Sequence, residues 1–127
     1  MRRPALIALL AAATLAFPAG AAAALTPFQT PSRQIVCLYV TEMGPAPLIR
    51  CDLRFLNDRA VVLPGSGRAR LLKVTDAVGD PGAPVLRYGS SRRFGRFTCT
   101  SRSTGLTCRH RGNGHGFTVR RASQRVY

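Results

Sequence analysis

The fold of this chain is decided by Cys99–Tyr127, which reads CTSRSTGLTCRHRGNGHGFTVRRASQRVY. Within this stretch Leu106 and Cys108 alternate with polar residues, as in a β-strand that buries one face. Phe97 and Cys99 form a similar pair just before it. The pattern predicts two neighbouring antiparallel strands that carry their cysteines on the buried side.

A turn is predicted between these two strands. Ser101–Gly105 consists mainly of serine, threonine and glycine, which turns favour. If the hairpin is centred between Ser103 and Thr104, Cys99 lies directly opposite Cys108. Opposed residues of an antiparallel pair have Cα atoms about 4.5–5.5 Å apart, which is within reach of a disulfide. We therefore predict that these two cysteines are bonded.

A second tight turn is predicted at Arg111–Gly114, where two glycines flank an asparagine. His115–Val119 then resumes the alternation of a strand. The end of the chain is thus expected to be a three-stranded meander, closed by the short tail Ala122–Tyr127.

Two further strands are predicted upstream. Gln34–Val40 is apolar on both faces, which indicates a buried strand, and the proline-containing stretch Thr41–Leu48 is expected to be a loop. Ile49–Phe55 alternates, so its odd positions should face the core and its even positions should face water. Cys37 and Cys51 then lie on the core side of neighbouring strands, and we predict a second disulfide between them.

The rest of the chain also favours β-structure. Leu25–Arg33 should be an extended lead-in, and Arg68–Thr75 and Val85–Tyr88 short strands, whereas Leu56–Val62 fits a turn or a strand. No long stretch has helical periodicity. We expect an all-β fold, a small antiparallel barrel or sandwich of about six to eight short strands, stapled by disulfides.

The first residues have the organisation of a signal peptide. Two arginines precede an apolar run, Pro4–Phe17, and the small residues Ala21–Ala24 follow. The alternative is a membrane anchor, but the run is shorter than the roughly 20 residues that a spanning helix needs. We expect residues 1–24 to be a signal peptide and residues 25–127 to be a single β domain, secreted or held at the cell envelope.

The cysteine count agrees with export. Four cysteines in an exported chain indicate disulfides. The alternative is a zinc site, but such sites use closely spaced cysteine pairs, and the cysteines here are too far apart in the sequence. We expect neither a metal nor a cofactor.

Several segments resemble a family of small exported bacterial proteins, common in actinobacteria, that is known as a domain of unknown function. The resembling segments are Phe28-x-Thr30-Pro31-Ser32, Arg50-Cys51-Asp52-Leu53, Ala83-Pro84-Val85-Leu86-x-Tyr88-Gly89, Cys99-Thr100-Ser101, Thr104-Gly105-Leu106-Thr107-Cys108-Arg109 and Gly114-His115-Gly116-Phe117, with Cys37, Arg121 and Arg125. The chain departs from the family at His110 and Arg120, and it lacks the Trp-Gly segment and the additional cysteines of many members. The resemblance implies export and paired cysteines, and it implies no particular activity.

The charge is strongly asymmetric. The chain has 19 lysine and arginine residues against 5 acidic ones, a formal net charge of +14 at pH 7. Ten of the arginines and no acidic residue lie in Pro81–Tyr127. A basic face attracts anionic polymers such as nucleic acid or cell-wall polyanions. The alternative is that a GC-rich coding sequence supplies the arginines and that they cover a solvated face without a ligand.

Four arginines are the candidate polyanion-binding residues. Arg109 and Arg111 share one strand face by parity, and Arg120 and Arg121 come from the end of the neighbouring strand. Arginine matches the geometry of phosphate and carboxylate groups. We expect these side chains to form one patch.

The only two histidines suggest two interpretations. An imidazole pair is able to cleave phosphodiesters by acid–base catalysis, which would make this a small secreted nuclease that uses His115. No orienting carboxylate is placed beside the pair by the sequence. The structural interpretation is that Gly114, His115 and Gly116 build a turn in which the histidine ring bonds a backbone carbonyl, while His110 is a surface residue on an outward strand position.

The expected function is non-catalytic binding of an anionic cell-envelope or extracellular polymer, or of nucleic acid. The alternatives are the nuclease and a structural or inhibitory domain that binds another protein. Once the signal peptide is removed, no stable membrane span is expected.

Overall fold

A computed structural model describes residues 2, 4–5, 8–16, 25–41 and 47–127. The predicted cleavage point after Ala24 and residues 42–46 of the predicted loop lie outside this part. Within it the regular structure is entirely β, and no helix is present that is long and apolar enough to cross a membrane. The strands are β1 (Leu25–Gln29), β2 (Ile35–Val40), β3 (Leu48–Leu53), β4 (Arg59–Pro64), β5 (Arg70–Lys73), β6 (Ser91–Phe94), β7 (Phe97–Arg102), β8 (Gly105–His110), β9 (Gly116–Val119) and β10 (Gln124–Val126).

The strands form two antiparallel sheets of five. The first sheet contains β1 to β5 and the second contains β6 to β10, and in each the strands are neighbours in chain order. Both sheets contribute to a single hydrophobic core, so the domain is a sandwich. The largest side chains that are fully buried include Phe28 and Ile49 from the first sheet and Phe97 and Phe117 from the second. The prediction of an all-β fold is confirmed, and the expected number of strands was too low.

Both predicted disulfides are present. Cys37 in β2 and Cys51 in β3 are register partners, with Cα atoms 4.0 Å apart. Cys99 in β7 and Cys108 in β8 are also register partners, at 4.1 Å. Each bond therefore joins the second and third strands of its sheet, and all four cysteines are fully buried in the core.

The hairpin of β7 and β8 has the predicted centre. Arg102 pairs with Gly105, so the turn consists of Ser103 and Thr104. The strands are longer than the turn composition indicated, because Ser101, Arg102 and Gly105 belong to them.

Both ends of the β domain add strands that sequence patterns had not separated from loops. The lead-in forms β1, because Phe28 is only 1% exposed and anchors it in the core. The tail forms β10, which pairs with β9. The prediction of a strand at Val85–Tyr88 was wrong, because this segment forms only one isolated parallel bridge, between Gln29 and Val85. Gln29 fixes this segment through its side-chain amide, which donates to the carbonyl of Ala83 at 2.9 Å.

The outer face of β3 is not solvated as expected. Asp52 is only 8% exposed, because the segment after β5 crosses this face. Its carboxylate accepts the backbone N–H of Val78 at 2.9 Å and the Arg50 Nε–H at 2.9 Å. Arg50 reaches on to Asp76, with Nη2 3.1 Å from Oδ1. The prediction that the even positions face water was therefore wrong at Arg50 and Asp52, which ion pairs and a crossing loop cover, whereas Arg54 is exposed as predicted.

Candidate functional site

The four arginines of the predicted patch lie at two ends of the second sheet. Arg109 is opposite Gly116 across β8 and β9, whereas the same register places Arg120 opposite Gly105. Gly105 and Arg109 are four residues apart along β8, which corresponds to roughly 14 Å. The structure therefore does not bring all four guanidinium groups together.

Arg111 is engaged with its own sheet. Its side chain donates hydrogen bonds to the carbonyl oxygens of Gly95 and Arg96, and its backbone N–H donates to the Arg96 carbonyl at 2.8 Å. These bonds tie the turn after β8 to the turn between β6 and β7. The side chain of Arg111 thus supports the local structure, although it remains exposed.

At the other end of the sheet, three arginines meet at a cleft. The turn between β1 and β2 approaches the turn between β7 and β8 there, and a cavity of about 210 Å³ opens between them. We call it the arginine cleft. Its lining consists of Thr30, Ser32, Gln34, Ile35, Phe55, Tyr88, Arg102, Ser103, Thr104, Gly105, Arg120 and Arg121. The lining combines three arginines, four serine or threonine side chains and two aromatic rings, and it contains no acidic residue.

Gly105 allows the two strands to come together at this cleft. A Cβ atom at this position would contact the carbonyl oxygen of Val119 and would lie 2.9 Å from Cγ of Arg120. The absence of a side chain therefore lets β8 approach the backbone at the end of β9. That approach places Arg120 beside the turn that carries Thr104.

The opposite wall of the cleft is a tight turn. Thr30 accepts the backbone N–H of Arg33 at 2.9 Å, and its own N–H donates to the Ile35 carbonyl at 3.0 Å. The hydroxyl groups of Thr30 and Ser32 are 3.1 Å apart. Arg33 has a φ of 60°, which is the left-handed region that closes such a turn. The turn thus lines the cleft with Thr30, which is buried, and with Ser32, which is exposed.

The cleft is not neutralised from within the chain. Among the residues that the structure describes, Arg50 is the only cation in an ion pair, and it lies on the first sheet. The aspartates lie within residues 52–80, before the arginine-rich second half begins. Arg102, Arg120 and Arg121 are all exposed. Their positive charge is therefore available to an anion from solution.

His110 is buried, which makes the prediction of an outward surface position wrong. It is 7% exposed and shares the inward parity of Leu106 and Cys108 on β8. Its ring stands edge-on to Phe97, with ring centroids 5.2 Å apart. The ring Nδ1 accepts the backbone N–H groups of Gly112 at 3.0 Å and Asn113 at 3.1 Å. Because Nδ1 accepts two hydrogen bonds, a neutral His110 carries its proton on Nε2.

His115 is half-exposed and is held through its backbone. Its N–H donates to the side-chain oxygen of Asn113 at 3.0 Å, and its carbonyl accepts the N–H of His110 at 2.8 Å. Neither of these two hydrogen bonds involves an atom of the His115 ring. Gly114 has a φ of 77°, and a Cβ atom on Gly116 would collide with the carbonyl of Cys108. Both glycines are therefore required by the backbone path around this histidine.

Sequence reasoning missed Arg102 and the cleft. Arg102 was assigned to a turn, where its direction is undefined, although strand parity with Thr98 and Thr100 would have placed it on the outer face. The cleft also depends on a contact between turns about 70 residues apart in the chain, which no local pattern reveals. No group of three or more His, Cys, Asp or Glu side chains that could hold a metal ion occurs in the described chain.

Comparison with known protein families finds a match. A family model described as a family of unknown function (DUF6636) matches residues 49–127, which is more than half of the chain and includes all of the second sheet. No curated protein matches the sequence. No solved structure matches it either.

Proposed function

The chain belongs to that family of unknown function, and we propose that it is a non-catalytic domain that binds an anionic polymer of the cell envelope or the extracellular space. The observation that supports this function is the arginine cleft, where Arg102, Arg120 and Arg121 converge without a carboxylate in the lining. Three exposed cations that line one cleft create a local positive potential, which attracts an anion. An oxyanion group of a polymer supplies that charge.

The chemistry of the lining fits an oxyanion. A guanidinium group presents several N–H donors in a planar fork that matches the oxygens of phosphate or carboxylate. The exposed residues Ser32, Ser103 and Thr104 add hydroxyl groups, and a hydroxyl both donates and accepts hydrogen bonds. Tyr88 is exposed at the rim and offers an apolar ring face. The cleft therefore suits a unit that carries a charge together with hydroxyl groups.

The size of the cleft indicates a single unit of a larger ligand. Its volume of about 210 Å³ is below the roughly 300–1,000 Å³ that is typical of sites that enclose a whole small molecule. A cleft of this size, open at the surface, holds one charged repeat unit and leaves the ends of a polymer in solvent. This supports a polymer as the ligand in preference to a cofactor.

The cysteines support an extracellular location for the proposed ligand. The two disulfides are consistent with an extracellular protein, because such bonds persist in oxidising compartments. The predicted signal peptide at residues 1–24 would deliver the domain there. Anionic polymers of the envelope are then the ligands that the domain meets.

The histidine geometry supports binding without catalysis. Nδ1 of His110 is occupied by two backbone donors, so this nitrogen is not available as a general base. His115 lies in the turn after β8, whereas the cleft is lined by the turn before β8. The two histidines are therefore absent from the lining of the arginine cleft.

The test is a binding titration of the oxidised domain, residues 25–127, across a salt series. The probes are poly(glycerol phosphate) and polygalacturonate. We expect R102S/R121S to weaken binding. The salt slope, which is the slope of log K against log salt concentration, should also fall in magnitude by roughly 1 to 2, since two cation contacts are lost. The matched control is R59S/R70S, which removes two exposed arginines from the first sheet. Equal effects of the two double variants would show that the cleft has no special role.

A further inference from the structure

Each strand of the second sheet brings one exposed arginine to the outer face of the sandwich. By register with outward-facing threonines, these residues are Arg93 in β6, Arg102 in β7, Arg109 in β8, Arg120 directly after β9 and Arg125 in β10. On β7 and β8 the adjacent residues on the opposite face, Ser101, Cys108 and His110, are buried. Neighbouring strands are about 4.8 Å apart, so each step of about that length across the sheet adds one arginine to the face.

A row of hydroxyl groups runs across the middle of the same face. Ser91 pairs with Thr100, Thr100 with Thr107, and Thr107 with Thr118, so one hydroxyl stands on each of four consecutive strands. The row ends at Arg125, the partner of Thr118 on β10. We call these four side chains the hydroxyl row.

The arginines alternate between the two sides of the hydroxyl row. Arg93 and Arg109 lie on one side, because both are register partners of Thr98. Arg102 lies on the other side, opposite Gly105, and Arg120 is on that side too. The arginine cleft is at this second side, and it shares Arg102 and Arg120 with the face. A ligand in the cleft is therefore next to the hydroxyl row.

We propose that the outer face of the second sheet binds a linear, hydroxyl-bearing polyanion that lies across the strands along the hydroxyl row, with one of its repeat units in the arginine cleft. This inference rests on the proposed function and names the class of polymer and its path. The ligand class is a chain whose repeat units carry both hydroxyl groups and an oxyanion, as polyol phosphates and uronic-acid glycans do.

The alternation of charge supports a linear ligand. A polymer along the row has a guanidinium group first on one side and then on the other as it crosses successive strands. Within the described chain no carboxylate pairs with any of these five arginines. Arg125 is instead stacked over the ring of Tyr127, at 5.4 Å from the ring centroid, which keeps its charge at the face.

The hydroxyl row supports a ligand with hydroxyl groups. Ser91 and Thr100 share one hydrogen bond of 2.7 Å, and Thr107 and Thr118 share one of 2.9 Å. A hydroxyl has one donor and two acceptor sites, so each bonded pair keeps one donor and three acceptor sites for a ligand. Such a surface matches polyol or sugar hydroxyls, which donate as well as accept. A ligand that offers only acceptors would leave most of these sites to water.

The same face disfavours nucleic acid. Proteins that bind single strands stack the bases on aromatic side chains. Along the hydroxyl row and the two flanking rows of arginines, the only aromatic ring of the described face is Tyr127, at the edge strand. Apart from Tyr127, the hydroxyl row therefore offers the bases of an oligonucleotide no aromatic stacking partner.

The first experiment separates the face from the cleft. R93S/R109S/R125S changes three arginines of the face that do not line the cleft, and R59S/R68S/R70S is the matched control on the first sheet and the loop before β5. Binding to poly(glycerol phosphate) and polygalacturonate is measured across a salt series. We expect the face variant to reduce the magnitude of the salt slope by about 2, and the control to leave it within about 0.5 of the wild type.

The second experiment tests the hydroxyl groups. T107V/T118V removes two hydroxyls and keeps the branched shape of the side chains. We expect roughly tenfold weaker binding of poly(glycerol phosphate) and polygalacturonate. Inorganic polyphosphate, a linear polyanion without hydroxyl groups, should bind this variant as it binds the wild type. Equal losses for polyphosphate would overturn the role of the hydroxyl row.

The outcomes distinguish this inference from the proposed function. If R102S/R121S weakens binding and R93S/R109S/R125S does not, the cleft binds an anion and the path across the face is wrong. If neither variant weakens binding, both proposals are wrong. If oligo(dT) binds the wild type as tightly as poly(glycerol phosphate) does, the ligand class is wrong. Loss of binding to only one of the two hydroxyl-bearing polymers identifies which oxyanion the face prefers, and supports the inference.

Discussion

Nδ1 of His110 accepts the backbone N–H of Gly112 at 3.0 Å, so a buried side chain of β8 fixes the turn that follows its own strand. The contact is tight, because a Cβ atom on Gly112 would lie 2.9 Å from Cε1 of the His110 ring. The ring also packs edge-on against Phe97 in the core. This histidine joins the core to the turn, and its role is structural.

Substitution of His110 should therefore destabilise the domain. H110A leaves two backbone donors without their acceptor and removes a buried ring, and we expect it to cost about 2 to 4 kcal/mol of unfolding free energy. H115A removes a half-exposed ring whose residue is held through the backbone, and it should cost under about 1 kcal/mol. Urea unfolding of the two variants measures the difference. A larger loss for H115A would contradict this assignment.

The histidines also allow a direct test of the nuclease alternative. We expect RNA to remain intact after prolonged incubation with the wild-type domain, because Nδ1 of His110 is engaged and His115 lies away from the arginine cleft. Gel electrophoresis of the RNA measures this, with H115A as the control. Cleavage by the wild type that disappears in H115A would establish the nuclease and refute the non-catalytic function.

Each disulfide should stabilise the domain mainly by lowering the conformational entropy of the unfolded chain. The bonds close segments with sequence separations of 14 and 9 residues. In the chain-entropy model each contributes about 3 kcal/mol, and the longer one contributes slightly more. We expect C37A/C51A and C99A/C108A to lose about that amount in denaturant titrations. A loss below about 1 kcal/mol for either pair would show that the model does not describe that bond.

Gly105 should tolerate no side chain. G105A would press its Cβ against the carbonyl of Val119, so β8 or β9 must shift, and we expect a loss of at least about 2 kcal/mol. G82A is the matched control, because its Cβ would meet only an ordinary contact of 3.4 Å with the side chain of Asp80. Thermal unfolding compares the two variants. If the two variants had the same melting temperature, the proposed close approach of β8 and β9 at Gly105 would be contradicted.

The segment that crosses β3 should respond to acid. The hydrogen bond and the charge of Arg50 lower the pKa of Asp76, so this carboxylate stabilises the folded state above its ordinary pKa of about 3.9. That stabilisation is lost as the pH falls through the lowered pKa of the folded state. We expect the wild type to lose more melting temperature between pH 6 and pH 2.5 than D76N does. Equal losses would contradict a contribution from this ion pair.

Local patterns were sufficient to predict the elements that alternate. Cys99 and Cys108 were paired from the parity of two strands and the centre of one turn, and the register confirms both. The same parity argument placed Arg50 and Asp52 in water, and it failed there. Parity identifies the face of a strand, but it contains no information about a distant segment that covers that face.

The candidate site was predictable only in part. Counting charges located the basic half of the chain, but it could not separate Arg109 and Arg111 from Arg120 and Arg121 along the strands. That separation follows from the register of β8 and β9. His110 was assigned to an outward-facing strand position, whereas continued alternation from Cys108 places it inside. Continuing the alternation by two residues, from Cys108 to His110, would have predicted that His110 is buried.

The most direct test of the central claim is an NMR titration of the isotope-labelled, oxidised domain with short poly(glycerol phosphate) chains. The backbone amide signals report the binding surface residue by residue. We predict that the largest shifts fall on Arg102, Thr104, Arg120 and Arg121 at the cleft, and that the first sheet beyond its β1–β2 turn changes little. Shifts that are spread evenly over both sheets, or no shifts at all, would contradict the proposal that this domain binds an anionic polymer at the arginine cleft.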